Sequence, residues 1–136
     1  MITHRPLAKD DIPWLQAAIT ANEFHENQKT EHYTGDDMYT VVYEDSRGPI
    51  GVIRYTKAES PTSEHALRIC GCWCDNSDSR RNALATLHSI RDTVELARAH
   101  GYDEILVDSN IERLRKFMGN LGFVPAEGDT MALEVR

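Results

Sequence analysis

The alternation of apolar and polar residues predicts a strand followed by a helix at the start of the chain. Residues 2–5 are typical of a short strand, and Asp10 or Asp11 can cap the amides of the helix that follows. Pro13 suits the first helical turn, because its missing donor would have had no partner there. One helical face then carries four apolar residues: Trp14, Leu15, Ala18 and Ile19. The polar segment 23–37 predicts a short helix or an ordered loop.

Three consecutive strands are predicted in the middle of the chain. Segments 38–44 and 49–56 are dense in β-branched and aromatic residues, and the turn residues of 45–48 join them into a hairpin. The composition of 58–64 is that of a loop, after which 67–74 returns as a third strand. Together these segments predict a three-stranded meander.

The second half of the chain begins with helical periodicity. From Ser79 the apolar positions recur at steps of four, three, four and three, which predicts one long helix. Its predicted inward stripe consists of Ala83, Leu87, Ile90, Val94 and Ala97. Gly101 after His100 ends this helix, because glycine is the usual residue after a last helical turn.

Four shorter elements complete the pattern. Segment 104–108 is a continuously apolar strand of the kind that is buried on both faces, and 111–121 is a helix. The inward residues of this helix are expected to be Leu114, Phe117, Met118 and Leu121. Two strands, 122–125 and 130–135, then surround a turn at 127–129.

Length, charge and hydropathy narrow the class of protein. A chain of 136 residues holds one ordinary core, so we expect a single domain over residues 1–136. The net charge of −7 argues against nucleic acid as the main partner, since cations supply much of the affinity for phosphates. No apolar run approaches the ~18 residues of a membrane-spanning helix. The first residues lack the apolar core of a signal peptide, so we expect a cytoplasmic protein that does not bind membranes.

Three cysteines alternate along the third predicted strand. Cys70, Cys72 and Cys74 would therefore point to one face. Zinc sites usually need a second cysteine pair, which this chain lacks, and the six histidines are scattered, so we expect no metal. Buried thiols that act as small apolar groups are the favoured interpretation; a reactive thiol, with Cys74 nearest the strand end, is the alternative.

The order of these elements, together with three local sequences, resembles the Gcn5-related N-acetyltransferase (GNAT) superfamily. Residues 4–7 with 11–12 are similar to the opening strand and first helix of that family, and 48–52 to its central hairpin. Residues 110–123, which end in Gly-Phe, look like its last helix. The resemblance spans essentially the whole chain. It implies an α/β (α+β) fold with a mixed, mostly antiparallel sheet of six to seven strands, flanked by about four helices.

In that family the pyrophosphate of acyl-CoA binds a loop with the pattern Arg or Gln, two residues, Gly, one residue, then Gly or Ala. The matching frame here is 80–85, with Ala83 where glycine is usual. Amides at a helix N-terminus favour such an anion, and small residues let the backbone approach it. A solvated helix start is the alternative, which the arginines and Asn82 also suit. The resemblance implies that acetyl-CoA is bound by Arg80, Arg81, Asn82, Ala83, Leu84 and Ala85 at its pyrophosphate, by Cys72, Trp73 and Cys74 at its pantetheine arm, and by Asn110 and Phe117 near its thioester.

Many members of that family protonate the departing thiolate with a tyrosine on the last helix. The two frames that the resemblance allows place Phe117 or Met118 there, and neither side chain donates a proton. A thiol leaving group is already fairly acidic, so positioning matters more than acid catalysis. A general base must take a proton from the attacking amine, and three carboxylates are candidates: Asp75, Glu44 and Asp108. Asp75 and Asp108 equally suit a helix cap or a strand end.

The sequence therefore supports two functions. The first is an acyl-CoA-dependent N-acyltransferase, most simply one that transfers acetyl from acetyl-CoA to a primary amine by direct attack in a ternary complex. Its acceptor is a small molecule or a protein amine, selected by segments 20–37 and 57–65. The alternative is a non-catalytic GNAT-fold binding or structural module, such as a degenerate or phage-associated member, which the missing glycine and tyrosine favour. Trp73 and the exposed hairpin edge permit a homodimer.

Overall fold

The computed structural model of the chain describes residues 2–21, 39–74 (without the side chains of 71–74) and 78–135. A short 3-10 turn at Lys9–Asp11 precedes the first helix. The helices and strands are β1 (Thr3–Pro6), α1 (Ile12–Ala21), β2 (Tyr39–Asp45), β3 (Gly48–Ser60), β4 (Ser63–Cys74), α2 (Ser79–Ala99), β5 (Glu104–Asp108), α3 (Glu112–Asn120), β6 (Val124–Pro125) and β7 (Thr130–Glu134).

Seven strands form one sheet in the order β1-β2-β3-β4-β5-β7-β6. The pairs β1–β2, β2–β3, β5–β7 and β6–β7 are antiparallel, whereas β4 and β5 run parallel. The mixed, mostly antiparallel sheet expected from the sequence is thereby confirmed. The described part of the chain contains three α-helices where about four were expected, and the element predicted at 23–37 lies outside the described residues. None of the described helices combines the length and apolar character needed to cross a membrane.

The prediction of a loop over residues 58–64 is wrong. β3 continues to Ser60 and β4 starts at Ser63, so the turn between them is much shorter than the composition indicates. The hydroxyl groups of Ser60 and Thr62 donate hydrogen bonds to the carboxylate of Glu104, the second at 2.8 Å. These polar residues are typical of loops, but a carboxylate from a distant strand satisfies them within a hairpin.

The chain divides into two compact units that share β3, β4 and α2. The first unit consists of Met1–Tyr55 and Gly71–Arg91, and the second of Thr56–Cys70 and Asp92–Arg136. The expectation of a single domain stays a prediction.

In the first unit, α1 and α2 cover opposite faces of the strands. Its core cluster consists of Leu15, Ile19, Val42 and Val52, bordered by Leu7 and Trp14. Val42 and Val52 are register partners on β2 and β3, and they face α1. The next residue, Tyr43, points to the other face because side chains alternate along a strand, and its buried ring contacts His88 of α2.

The inward stripe predicted for α2 is partly wrong. Ala83 is exposed and Leu87 keeps 46% of its surface exposed. The buried residues of the helix are Ala85, Ser89, Ile90, Thr93 and Ala97. The hydrophobic pattern does not predict the burial of two of these five residues, Ser89 and Thr93. A hydroxyl group can be buried when it forms a hydrogen bond within its own helix. Ser89 does so, donating to the carbonyl oxygen of Thr86 at 2.9 Å.

In the second unit, β5 lies at the centre of the core. Residues 104–107 are all buried, as a strand covered on both faces requires. The core cluster consists of Ala66, Leu106 and Ala132, with Ala58 packed against it. The four residues of α3 and its end that were expected to point inward, Leu114, Phe117, Met118 and Leu121, are half-buried.

Candidate functional site

The start of α2 is capped by the carboxylate of Asp78. Its Oδ1 accepts hydrogen bonds from the amides of Arg80 at 3.1 Å and Arg81 at 3.2 Å. The amide of Asn82 bonds to the carbonyl oxygen of Asp78 at 2.9 Å. The amide of Arg81 and the guanidinium of Arg47 lower the pKa of Asp78, so this carboxylate is charged at neutral pH. The chain's own Asp78 therefore occupies the place at the N-terminus of α2 where an anion would bind.

Arg81 ties the start of α2 to the hairpin of β2 and β3. Its Nε and Nη2 each donate to the carboxylate of Asp45 at 2.8 Å, and Nη2 also lies 3.2 Å from the carbonyl oxygen of Gly48. Only 12% of the Arg81 side chain is exposed. The hydrogen bonds from Arg81 hold the pKa of Asp45 well below its usual range. A second pair, between Arg47 and Asp78 at 3.3 Å, joins the same two elements.

The frame 80–85 lies within the first turns of α2, not in a loop before it. The helix begins at Ser79 because Asp78 caps it and because alanine, unlike glycine, favours a helix at position 83. Arg80, Ala83 and Leu84 are exposed, Asn82 is half-buried and Ala85 is buried. Of the two arginines of the frame, Arg80 is exposed, whereas Arg81 forms an ion pair with Asp45.

β4 carries the cysteines. Cys70 is exposed, so its predicted burial is wrong. The side chains of Cys72, Trp73 and Cys74, and all of Asp75, lie outside the described residues. The parallel ladder with β5 ends at the pair Ile69–Val107, although β4 continues to Cys74.

Asp108 ends β5 and accepts hydrogen bonds from Arg68 and Thr130. Burial raises the pKa of Asp108, but the hydrogen bonds from Thr130 and Arg68 outweigh it, and the pKa lies below its ordinary value. A carboxylate held in this way is a weaker base than a free one, because its charged form is stabilised. Thr130 and Arg68 were missed from the sequence, since only the pairing of β5 with β4 and β7 reveals them.

The segment between β5 and α3 is fixed by Arg115. Its Nη1 donates to the carbonyl oxygens of Ser109 at 2.9 Å and Asp129 at 2.7 Å. The hydroxyl of Ser109 accepts the amide hydrogen of Ile111 at 3.2 Å. Asn110, exposed between these anchored residues, thus has a constrained backbone on either side.

Glu44, the third predicted base, belongs to an ion-pair cluster in the first unit. Its carboxylate accepts from Nε of Arg5 at 3.1 Å, and the Nη atoms of Arg5 bind both oxygens of Asp11 at 2.7 Å. Asp11 also accepts from Nε1 of Trp14 at 2.7 Å and from the amide of Ala8 at 2.8 Å. The amide that binds Asp11 is that of Ala8, at the start of the 3-10 turn, and not an amide of α1 as expected from the sequence. Arg5, the partner of Asp11, was missed, because the sequence does not reveal the path from β1 into α1.

Neither a family model nor a curated protein matches the sequence of this chain. Its fold does match solved structures. It is similar to a GNAT-family acetyltransferase of Desulfovibrio desulfuricans, described as putative, with a TM-score of 0.76 and 15% identity over 100% of both chains. It is also similar to the ribosomal-protein-S18-alanine N-acetyltransferase of Escherichia coli, with a TM-score of 0.72 and 13% identity over 99% of this chain and 94% of the other. A third match is AtaTR bound with AcCoA, with a TM-score of 0.71 and 14% identity over 98% and 93%.

Proposed function

We propose that this chain, whose fold is that of the GNAT acetyltransferases, is an acyl-CoA-dependent N-acetyltransferase that acts on a primary amine. The observation that carries the proposal is the agreement of fold over the whole of both chains at a TM-score of 0.76. A protein of this fold bound with AcCoA supports acetyl-CoA as the donor. One that acetylates the alanine of a ribosomal protein supports an amine as the acceptor. The cytoplasmic location, the homodimer and the exclusion of nucleic acid stay predictions.

The start of α2 is our proposed site for the CoA pyrophosphate. Arg80 is exposed in the first turn of the helix, where its charge adds to the favourable helix dipole. A bound pyrophosphate must displace the carboxylate of Asp78 from the amides of Arg80 and Arg81. Because a diphosphate carries more charge and more acceptor oxygens than one carboxylate, we expect this exchange to be favourable. Of the remainder of the frame, Asn82, Ala83 and Leu84 would line the approach, whereas Ala85 is buried and its expected contact with the cofactor is not proposed.

The other contacts follow from the ends of β4 and β5. Beyond Ile69 the ladder between β4 and β5 has ended, so the backbone at Cys72, Trp73 and Cys74 is our candidate for binding the pantetheine arm. Asn110 and Phe117 are proposed to lie near the thioester. These assignments rest on the resemblance and on the register of the strands.

The reaction requires an uncharged amine. Its nitrogen attacks the thioester carbonyl carbon, the C–S bond breaks as the tetrahedral intermediate collapses, and the amine proton passes to a base. Asp108 is weakened as a base by Arg68 and Thr130, and Glu44 belongs to the cluster that anchors β1. Asp75, the residue that follows β4 in the sequence, is therefore the carboxylate that we propose as the base. The thiolate takes its proton from solvent, because neither Phe117 nor Met118 can donate one.

Titration with acetyl-CoA by calorimetry tests the site. We expect saturable micromolar binding by the wild-type chain. Arg80→Glu should weaken it by roughly tenfold or more, as expected for loss of a charge-assisted hydrogen bond to phosphate. Arg91→Glu is the matched control, since Arg91 is an exposed arginine on the same helix and the charge change is equal. Equal affinities in both variants would refute the assignment of Arg80.

Turnover is the second test. Incubation with acetyl-CoA and either polyamines or peptides that begin with alanine should give the N-acetyl product, detected by mass spectrometry. Cys74→Ala should retain turnover, because direct transfer needs no acyl-cysteine. Loss of activity with unchanged acetyl-CoA affinity would instead place an acyl group on Cys74.

A non-catalytic module with this fold is the second candidate. The observation that favours it is that the chain's own carboxylates already bind the start of α2. Asp78 accepts hydrogen bonds from the amides of Arg80 and Arg81, and Asp45 forms an ion pair with the side chain of Arg81. Such a module either binds no acetyl-CoA at millimolar concentration or binds it without turnover, whereas the enzyme requires both binding and turnover. The calorimetric titration and the turnover assay together therefore separate the two functions.

A further inference from the structure

Two histidines pack against one buried tyrosine ring in the first unit. His4 of β1 is the register partner of Tyr43 on β2, and their ring centroids are 6.1 Å apart. His88 of α2 meets the same ring edge-on, with centroids 5.8 Å apart and an interplanar angle of 76°. Tyr43 is 2% exposed. Both imidazoles therefore pack against a surface whose position the core determines.

The two imidazoles also come close to each other. Nitrogen atoms of His4 and His88 that could bind an ion lie within 4.8 Å. On a tetrahedral zinc ion with Zn–N bonds of about 2.0–2.1 Å, two such atoms are about 3.3 Å apart. Rotation of the exposed His4 side chain can supply the difference, because β1 is the edge strand and His4 faces solvent.

From this geometry we propose that His4 and His88 bind one divalent transition-metal ion, with water completing its coordination. Imidazole nitrogen suits Zn²⁺, Cu²⁺ and Ni²⁺, whereas Mg²⁺ and Ca²⁺ prefer oxygen. The sequence does not reveal this pair, because the two histidines are distant along the chain and only the packing of β1 and α2 against Tyr43 brings them together. The two histidines are not among the residues of the proposed acyl-CoA site, and the metal proposal does not depend on that site.

The bound ion would join an edge strand to a helix. β1 is held to β2 by a short ladder of four register pairs and to Asp11 through Arg5, and a metal bridge to α2 adds a further attachment within the first unit. Because the unfolded chain does not hold the two imidazoles together, the ion binds the folded state preferentially and stabilises it.

The test is a titration of metal-free protein with ZnCl2 by calorimetry, after alkylation of accessible thiols. Alkylation is needed because Cys70 is exposed and thiolates bind zinc. We expect saturable binding of one ion and a rise in the thermal unfolding midpoint. His4→Gln and His88→Gln should each weaken binding by more than the roughly 10- to 100-fold that loss of an outer-shell partner costs.

His65→Gln and His100→Gln are the controls, since both histidines are exposed elsewhere and should leave binding unchanged. Circular dichroism checks the fold of every variant. If His88→Gln fails to fold, His4→Gln decides the question alone, because its side chain is exposed on an edge strand. Absence of saturable binding by the wild-type chain, or binding that persists in the folded variants, would overturn the proposal.

Discussion

The carboxylate of Asp11 accepts four hydrogen bonds, two from Arg5 and one each from Ala8 and Trp14. Its side chain is 5% exposed. A charged carboxylate that is buried in this way destabilises the fold unless hydrogen bonds and an opposite charge compensate it. Asp11 therefore joins β1 to α1 through side chains, close to the core formed by Leu15 and Val42.

Asp11→Ala should reduce the free energy of unfolding by about 2 kcal/mol, less than the 3–5 kcal/mol of fully buried pairs because Arg5 is one-third exposed. Urea denaturation measures the change. Asp10→Ala is the matched control, since Asp10 is the exposed neighbour, and it should be nearly neutral. Similar losses in both variants would show that the Arg5 pair does not stabilise the fold.

The same residue predicts a dependence of stability on pH. Hydrogen bonds from Arg5 outweigh burial and hold the pKa of Asp11 well below its usual range. Since the folded pKa is lowered, the unfolded chain binds more protons as the pH falls, and the stabilisation is present at neutral pH and lost in acid. The stability advantage of the wild type over Asp11→Asn should be constant above about pH 5 and shrink below about pH 4. An advantage independent of pH would contradict this.

At the scale of elements, α2 begins where Asp78 caps it. Replacement by serine keeps a capping oxygen but removes the charge that competes with a phosphate. Asp78→Ser should therefore bind acetyl-CoA more tightly than the wild type, while its thermal unfolding midpoint stays within a few degrees. Asp78→Ala, which loses the cap, should bind acetyl-CoA tightly as well but unfold at a lower temperature. Weaker binding by Asp78→Ser would mean that the pyrophosphate does not approach these amides.

The end of α3 depends on a glycine. Gly122 has φ +103°, which side-chain-bearing residues rarely adopt, and a Cβ there would lie 3.3 Å from Cδ1 of Leu133. Gly122→Ala should destabilise the protein by about 1–3 kcal/mol. Gly119→Ala is the control within α3, where a Cβ meets nothing within 4 Å, and helix propensity should make it stabilising by up to about 1 kcal/mol. Chemical denaturation of both variants measures the contrast, and equal effects would exclude a conformational role for Gly122.

At the scale of the whole molecule, the two units share two strands and a helix, so we expect them to unfold together. Both tryptophans, Trp14 and Trp73, belong to the first unit, whereas far-UV circular dichroism reports on the strands and helices of both. Urea transitions followed by fluorescence and by circular dichroism should coincide. Separate midpoints would indicate that the units unfold independently and would argue against the single domain.

Most of the elements were predictable because their signals are local. Helical periodicity from Ser79, the glycine at 101 and the apolar run 105–107 depend on neighbours along the chain, and α2 and β5 match them. The mixed, mostly antiparallel sheet was expected from the resemblance to GNAT proteins, not from these patterns, and the order of its strands was not predicted. The prediction of a loop at 58–64 was wrong because composition cannot show that Glu104 accepts hydrogen bonds from the hydroxyl groups of Ser60 and Thr62.

The sequence by itself thus determined where strands and helices form and which residue types the start of α2 offers to a phosphate. Only the tertiary structure decided which charges are available there. Arg81 and Arg80 are alike as neighbours in sequence, but the hairpin turn brings Asp45 to Arg81 and leaves Arg80 exposed. The fold likewise brings His4 and His88 together at the ring of Tyr43. Partners of this kind are distant in sequence, and strand register and helix packing bring them together only in the folded chain.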